Sequence, residues 1–279
     1  MKGQKTVKVS APGKVILSGE HAVVYGYPSL ITAVSRRLSI KCIKGKKKVD
    51  SEIPIGCGMG SSAAYAVAVS ALKLKLSGKP WDLEKINREA YKMEKKRHGN
   101  PSGADNTTVT YGGLLWYRKE SEELKVFSQI SPRRKLPRII LINSGAPKES
   151  TKEMVSLVGN LYRVRPKKVE RIFGKIEEVT RTFLKFLLKE ESPSLNDLIK
   201  ENESLLEELG VVSEPTRSLI RKMEKIGAAV KISGAGGKTL GSGILLAYHP
   251  EPLKLLSFAK ALNLEFFRVK LGEEGVRVD

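Results

Sequence analysis

The sequence has few of the residues that build metal cages and disulfide frameworks. It contains two cysteines, Cys42 and Cys57, and three histidines among 279 residues. Two cysteines are too few for a disulfide-stapled scaffold, and neither a CxxC nor an HExxH spacing occurs. We therefore expect no structural metal site, and we expect any metal ion to arrive together with a bound ligand.

Long apolar runs are also missing. No run approaches the roughly 18 apolar residues that a membrane span requires, and the opening MKGQKTVKVSAPGK contains no apolar signal core. We therefore expect a cytoplasmic protein. With 41% hydrophobic and 29% charged residues, the composition is that of an ordinary globular chain with enough apolar side chains for a sizeable core.

Acidic residues are scarce relative to basic ones. The 30 Asp and Glu residues face 50 Lys and Arg residues, so the formal net charge is +20. Such a charge makes nucleic-acid binding a hypothesis, but the basic clusters are scattered and no aromatic RNP motif or zinc-finger spacing accompanies them. We interpret the excess as solvated surface that also attracts polyanionic substrates. A basic nucleotide- or nucleic-acid-binding protein without catalysis remains the alternative.

The most informative segment is PIGCGMGSSAA, which begins at Pro54 and leads into an alanine-rich helical run. Glycines allow tight turns with positive φ and a close approach to a ligand, while the start of the helix presents N–H groups and a partial positive charge. The segment therefore predicts an anion cradle for the phosphates of ATP or a similar ester. A glycine-rich turn before a buried helix is the alternative.

A second glycine-rich segment, KISGAGGKTLGSG, spans residues 231–243 and could approach the same phosphates from the other side. Gly237, Lys238 and Thr239 imitate the end of a Walker A loop, but Ile232 stands where that motif needs glycine. Neither glycine segment satisfies GxGxxG. The sequence therefore predicts neither a P-loop nor a Rossmann fold.

Two further segments concentrate polar residues. Lys14, Glu20 and His21 lie within one short strand and turn, where they form either a ligand-facing edge or a surface pair beside a turn histidine. After Glu94, the loop HGNPSGADN contains proline and glycine that fix its path, so Asp105 can be held in one position as a base or charge partner. An ordinary Asx turn is the alternative for that loop.

Hydrophobic patterning predicts helices and strands in both halves of the chain. Residues 11–14 predict a glycine turn between two short strands, Gly45 with its lysines predicts an exposed turn, and residues 131–138 predict an interdomain linker. We therefore expect an α+β protein with two domains, 1–137 and 138–279. Predicted strands cover residues 5–10, 15–17, 30–43, 107–117, 139–143, 229–233, 243–248 and 265–270; predicted helices cover 62–76, 82–93 and 253–262, with helical periodicity over 151–225 broken near Pro166, Pro193, Gly210 and Pro215.

Taken together, APGKVILSGEHAVVYG, PIGCGMGSSAA, HGNPSGADN and KISGAGG resemble the mevalonate kinases of the GHMP kinase superfamily, in order and in spacing. The resemblance runs from about Ser10 to Gly243. It implies a two-domain GHMP kinase fold with the nucleotide in the cleft between the domains, the phosphate-binding glycine loop in the first domain and the third glycine-rich motif in the second. It also implies transfer of the γ-phosphate of ATP to the 5-hydroxyl of mevalonate.

The resemblance assigns roles to matching residues. Asp105 matches the family's catalytic aspartate, and Lys14 matches the lysine beside it, which helps to polarise the substrate hydroxyl. Ser62 and Glu94 match the pair that coordinates Mg²⁺, the metal expected with ATP. Residues expected near the acceptor substrate are Glu20, His21 and Thr151, and those expected to bind the nucleotide are Pro54, Gly56, Gly58, Gly60, Ser61, Ser62, Ala63, Gly234, Ala235, Gly236 and Gly237.

The resemblance further implies ATP and mevalonate as small-molecule partners, a possible homodimer, and neither nucleic acid nor membrane. Kinases of the same superfamily that act on phosphomevalonate, on the 3-hydroxyl of mevalonate or on a sugar are the alternatives. Adenine contacts are not assigned, because the connection between Cys42 and Pro54 is shorter than in many relatives. Lys238 is either an additional phosphate contact or a solvated side chain.

Overall fold

The structure is a computed structural model that describes residues 6–99 and 101–279. Lys5 of the first predicted strand and Asn100 of the predicted rigid loop lie outside the described residues. Across the described residues, no helix combines the length and apolar character needed to cross a bilayer.

The described residues form ten strands and eight α-helices, with a short 3₁₀ helix at Ala22–Tyr25. The strands are β1 (Val7–Ser18), β2 (Ser29–Ile43), β3 (Lys46–Ser51), β4 (Leu114–Lys119), β5 (Lys125–Gln129), β6 (Ile139–Asn143), β7 (Ala229–Ile232), β8 (Ile244–Tyr248), β9 (Phe266–Arg268) and β10 (Arg277–Val278). The helices are α1 (Ser61–Leu76), α2 (Leu83–His98), α3 (Ala104–Tyr111), α4 (Thr151–Val164), α5 (Pro166–Leu188), α6 (Leu195–Leu209), α7 (Glu214–Glu224) and α8 (Pro252–Ala261).

The first half of the chain builds an antiparallel sheet in the order β10-β1-β2-β4-β5, with β3 also paired to β2. Helices α1, α2 and α3 are inserted between β3 and β4. Helix α1 is rich in alanine and buries most of its residues, because small side chains let a helix approach its neighbours closely. The predicted mixture of helices and strands in this half is confirmed.

The first strand corrects the expectation of a turn at residues 11–14. Strand β1 runs on through them, and its pairing with β2 shifts register between Pro12 and Gly13. At Gly13 a Cβ would lie 3.0 Å from the carbonyl oxygen of Met59. The glycine therefore serves a bulge in one long strand, and the bulge allows the glycine loop before α1 to pack against β1.

Two other local expectations were wrong. Gly45 does form a turn, but Lys46 to Lys48 belong to the exposed edge strand β3, where lysines suit an edge that must not pair further. Residues 107–111, expected as strand, lie in α3, which starts after Gly103. Thr107 and Thr108 donate side-chain hydrogen bonds of 2.7 and 2.9 Å to carbonyls four residues earlier, which lets β-branched residues fit a short helix.

The second half of the chain builds a four-stranded antiparallel sheet in the order β7-β8-β6-β9. Its helices break where the sequence predicts. Helix α5 begins at Pro166, and α6 ends at Leu209, just before Gly210, whose φ of 77° is the left-handed value that favours glycine. Helix α5 buries Val169, Phe173 and Ile176 on one face, as expected for an amphipathic helix.

The two sheets are fastened to each other close to the glycine segments. The backbone N–H of Ile16 in β1 donates at 2.9 Å to the Oγ of Ser233, which directly follows β7. The hydroxyl of Ser18, at the end of β1, lies 2.7 Å from the hydroxyl of Thr180 on α5. Residues 131–138 connect β5 to β6. This arrangement places both glycine-rich segments beside the end of β1.

Candidate active site

A cleft of about 210 Å³ lies where β1, the glycine loop, the start of α3 and Gly234 meet. A larger groove of about 830 Å³ runs between α1 and α2 and is lined mainly by lysines and apolar side chains. The smaller cleft is the candidate site, because it brings together glycine loops, a cation and carboxylates drawn from distant parts of the chain.

An ion pair between Lys14 and Asp105 lies in the cleft. The Lys14 Nζ is 3.0 Å from Asp105 Oδ2, with the lysine side chain 3% exposed and the aspartate 38% exposed. Lys14 follows the β1 bulge, and its backbone N–H donates to Met59 O at 3.0 Å. Asp105 occupies the first turn of α3, where the helix dipole favours a negative charge. The Asp105 carboxylate is therefore accessible to solvent, whereas the Lys14 ammonium beside it is buried.

Ser62 and Glu94 form a second pair of oxygen-bearing side chains. The Ser62 hydroxyl, in the first turn of α1, donates to Glu94 Oε1 at 2.5 Å, and both residues line the cleft. A hydroxyl and a carboxylate suit Mg²⁺, which takes one or two protein ligands and completes its shell with water and phosphate oxygens. Within residues 6–99 and 101–279, no group of three or more His, Cys, Asp or Glu side chains is placed to hold a metal ion.

The glycine loop takes the backbone conformations that its sequence predicts. Gly56, Gly58 and Gly60 all have positive φ, of 75°, 90° and 80°. At Gly58 a Cβ would lie 2.4 Å from the carbonyl oxygen of Ser233. The loop can therefore pack against the second glycine segment only if residue 58 has no side chain. The loop leads into α1, and the start of a helix is suited to bind an anion.

His21 also lines the cleft. Its ring Nε2 is 3.1 Å from the carbonyl oxygen of Ala235. Burial lowers the pKa of His21 to about 4, although the hydrogen bond to Ala235 acts in the other direction. The imidazole is therefore neutral near pH 7. Its backbone φ of 60° is unusual for a residue with a side chain.

The family model for the N-terminal domain of GHMP kinases matches residues 27–113. The mevalonate kinase of Archaeoglobus fulgidus is 30% identical to the chain, in an alignment that covers 97% of this chain and 99% of that protein. The chain belongs to the mevalonate kinase family. The mevalonate kinase of Thermococcus onnurineus is 29% identical over 98% of both proteins. Membership of this kinase family implies the use of ATP.

Solved structures confirm the expected α+β GHMP kinase fold. The crystal structure of L. major mevalonate kinase in complex with R-mevalonate superposes with a TM-score of 0.81 at 23% identity, covering 96% of each chain. The Methanococcus jannaschii mevalonate kinase superposes with a TM-score of 0.80 at 22% identity, covering 98% of this chain and 100% of that one. The recognition of the family from its four motifs is likewise confirmed.

The structure brings most of the predicted site residues to the cleft wall, and four of them do not line it. Glu20 is fully buried against Lys231, and Pro54 lies just before the glycine loop. Gly236 packs against the Val211 carbonyl, and Gly237 donates to it at 3.0 Å. On the wall are Lys14, His21, Gly56, Gly58, Gly60, Ser61, Ser62, Ala63, Glu94, Asp105, Thr151, Gly234 and Ala235.

Sequence reasoning missed Arg97, Ser102, Asn106 and Val155, which also line the cleft. Helical spacing could have indicated Arg97, because it follows Glu94 by three residues on α2 and so shares its side of the helix. Asn106 is adjacent to Asp105 but 2% exposed, and its amide donates to Asn87 Oδ1 at 2.6 Å. That contact joins α3 to α2 and has no signal in the sequence.

Proposed function

We propose that the chain catalyses the ATP-dependent phosphorylation of the 5-hydroxyl of mevalonate to give 5-phosphomevalonate. The observation that carries this proposal is the Lys14–Asp105 pair, whose exposed carboxylate faces a cleft bounded by a glycine loop and a helix start. Full-length similarity to proteins named mevalonate kinase supports the choice of substrate.

We assign the reacting hydroxyl to Asp105, which accepts or orients its proton. Lys14 stabilises the negative charge that develops on the hydroxyl oxygen. Phosphoryl transfer requires mainly in-line positioning and neutralisation of oxygen charge, and both are served by fixed groups around a small cleft. We assign the nucleotide phosphates to the glycine loop at Gly56, Gly58, Gly60, Ser61, Ser62 and Ala63, with Gly234 and Ala235 beside the loop.

We assign Mg²⁺ to Ser62 and Glu94, whose oxygens already lie 2.5 Å apart. When bound there, the ion neutralises phosphate charge. The hydrogen bond between Ser62 and Glu94 joins α1 to α2, so these two residues would hold the ion between the two helices. The rest of its coordination shell comes from phosphate and water.

We assign the acceptor to the side of the cleft bounded by His21, Val23, Val24 and Thr151. A neutral imidazole can exchange hydrogen bonds with a hydroxyl or donate one to a carboxylate. Glu20, Gly236 and Gly237 then act through the buried contacts that they make with Lys231 and Val211. Pro54 precedes the glycine loop. We propose that residues 1–137 and 138–279 form the two domains and that ATP binds between them. We also propose that the protein is cytoplasmic.

The proposal is tested by measuring ADP release from purified protein with ATP and Mg²⁺. The acceptors are mevalonate, phosphomevalonate, galactose and none, and Asp105→Asn serves as the inactive control. We expect mevalonate alone to raise ADP release far above the acceptor-free rate. Turnover of phosphomevalonate or a sugar but not of mevalonate would replace the assigned substrate. Equal release with every acceptor would remove the kinase assignment.

A further inference from the structure

Lys231 is a fully buried lysine in β7, three residues before Gly234. Its ammonium contacts a carboxylate oxygen of Glu20 and donates to the carbonyl oxygens of Ile232 at 2.8 Å and Ile16 at 3.4 Å. All three donor positions of the ammonium are therefore used. The contacts to Glu20 and Ile16 join β7 to the segment that leads from β1 into the His21 turn.

Glu20 belongs to a turn that the backbone alone does not favour. Gly19 has a φ of 106°, and His21 has a φ of 60° in spite of its side chain. Such a conformation persists only when surrounding contacts hold it. The Glu20 carboxylate, fully buried, contacts Lys231 on one oxygen, and its Oε2 has no hydrogen-bond partner in the described part of the chain.

The position of strand β7 depends less on Lys231 than the Glu20 turn does, because other contacts also hold the strand. Its residues pair with β8, and the backbone N–H of Ile232 donates to Glu203 Oε2 at 2.8 Å. Ser233 accepts from Ile16 N at 2.9 Å. Without the ammonium, the phosphate-side segment at residues 233–235 therefore keeps its anchors, whereas the Glu20 carboxylate loses its charge partner.

We propose that Lys231 is a positioning residue for the acceptor side of the active site. It holds Glu20, Glu20 fixes the turn at residues 19–21, and the turn directs the His21 imidazole to Ala235 and the cleft. This inference rests on the proposed function, because it takes mevalonate as the acceptor beside His21. A buried ion pair is often no more stable than packed apolar residues, so its value here lies in the geometry that it specifies.

The test compares Lys231→Met, Glu20→Gln and the double variant by steady-state kinetics. Lys231→Met alone leaves a buried carboxylate without its partner and can fail to fold. The double variant removes both charges and replaces each side chain with an uncharged one of similar shape. It therefore tests the positioning role even if Lys231→Met alone does not fold. Ile220→Ala is the control, because Ile220 is fully buried on α7 and lies away from the cleft wall.

For the folded double variant, we expect the KM for mevalonate to rise about 10- to 100-fold while the KM for ATP stays within about twofold of the parent. The control loses stability but keeps both KM values, because a cavity at Ile220 removes no contact of Lys231, Glu20 or His21 and Ile220 does not line the cleft. A double variant with parental KM for mevalonate would overturn the positioning role. A parent protein that fails to phosphorylate mevalonate would instead overturn the proposed function.

Discussion

The side chains of Lys14 and Asp105 differ greatly in their exposure to solvent, although their charged atoms are only 3.0 Å apart. The lysine is enclosed by β1 and the glycine loop, where a Cβ at Gly60 would lie 2.8 Å from its Cγ. The aspartate stands at the exposed end of the pair. A fixed cation beside an accessible carboxylate is suited to draw a proton from an incoming hydroxyl and to stabilise the oxygen that remains.

Asp105→Asn is expected to lower kcat by about 10²- to 10⁴-fold, because the amide cannot accept the proton. Binding of ATP, measured by titration with a fluorescent analogue, is expected to stay near the parental value. Asp50→Asn, on the exposed strand β3, is the matched control and should leave kcat unchanged. A kcat for Asp105→Asn within about twofold of the parent would remove Asp105 from the mechanism.

Gly58→Ala is expected to weaken ATP binding strongly, because the added Cβ would lie 2.4 Å from the Ser233 carbonyl and must push the loop out of place. Gly78→Ala is the matched control: Gly78 also has a positive φ, of 70°, but open space around it and a position outside the cleft. Both variants should lose about 1 kcal/mol or more of stability from backbone strain. Only Gly58→Ala should raise the KM for ATP; equal KM values in the two variants would contradict the role of this contact.

At the scale of secondary structure, the helix boundaries follow local chemistry closely. Asp82 accepts from the backbone N–H of Lys85 at 3.0 Å and starts α2, as the sequence predicts, although α2 extends to His98 rather than ending at Met93. Ser150 and Glu153 form a capping box at the start of α4. Such caps provide hydrogen-bond acceptors for the N–H groups at the start of a helix. They involve only residues close in the sequence, so they can be predicted from it.

Asp82→Ala is expected to destabilise the protein by about 1 kcal/mol, because it removes the acceptor for an N–H group at the start of α2. The change should appear as a lower midpoint in urea with unaltered KM values, since Asp82 lies outside the cleft. Asp82→Ser retains a capping oxygen and should recover most of the loss. Equal midpoints for the Ala and Ser variants would show that the cap contributes nothing measurable.

The expectations that failed have one local cause and one distant cause. Residues 107–111 read as a strand because threonine favours strands, but Thr107 and Thr108 satisfy their hydroxyls within α3. The glycine at position 13 reads as a turn, but it serves a bulge against Met59. Propensity describes one segment, whereas packing against another segment decides its final form.

The same distinction applies to the candidate site. Lys14, Ser62, Glu94 and Asp105 could be predicted because they match positions in a family that the sequence resembles. The pair between Glu20 and Lys231 joins residues 211 positions apart and could not. The only local signal is a lysine among apolar neighbours in AVKIS, which does not identify its partner.

At the scale of the whole molecule, the core that joins the two sheets contains a group of buried ionisable residues. Glu203 on α6 accepts from Ile232 N, and its pKa is influenced by Lys231, Glu207 and Glu20. Burial is the largest cause of the change and raises the pKa of Glu203 to about 8. The Glu203 carboxyl is therefore mostly protonated at neutral pH, which avoids a second negative charge beside Glu20.

This burial makes stability depend on pH in a definite direction. In the unfolded chain Glu203 titrates near its ordinary pKa of 4.5, whereas in the folded protein it keeps its proton up to about pH 8. The protonated Glu203 therefore contributes fully to the free energy of unfolding below pH 4.5. This contribution falls as the pH rises and is lost above about pH 8. Glu203→Gln is neutral at every pH and retains an acceptor for Ile232 N.

Relative to the parent, Glu203→Gln is expected to gain stability between pH 5 and pH 8, by on the order of 3 kcal/mol across the interval. The measurement is the free energy of unfolding in urea at several pH values, with the parent run in parallel so that other titrating groups cancel. Parallel pH curves for the two proteins would show that Glu203 does not hold its proton.

Transfer of the γ-phosphate of ATP to the 5-hydroxyl of mevalonate can be observed by ³¹P NMR of the reaction mixture. We predict a new phosphomonoester signal that is split by the two protons on C5 of mevalonate and grows in step with ADP. A phosphate signal without that splitting, as on the tertiary 3-hydroxyl, or ADP with only inorganic phosphate, would contradict the account.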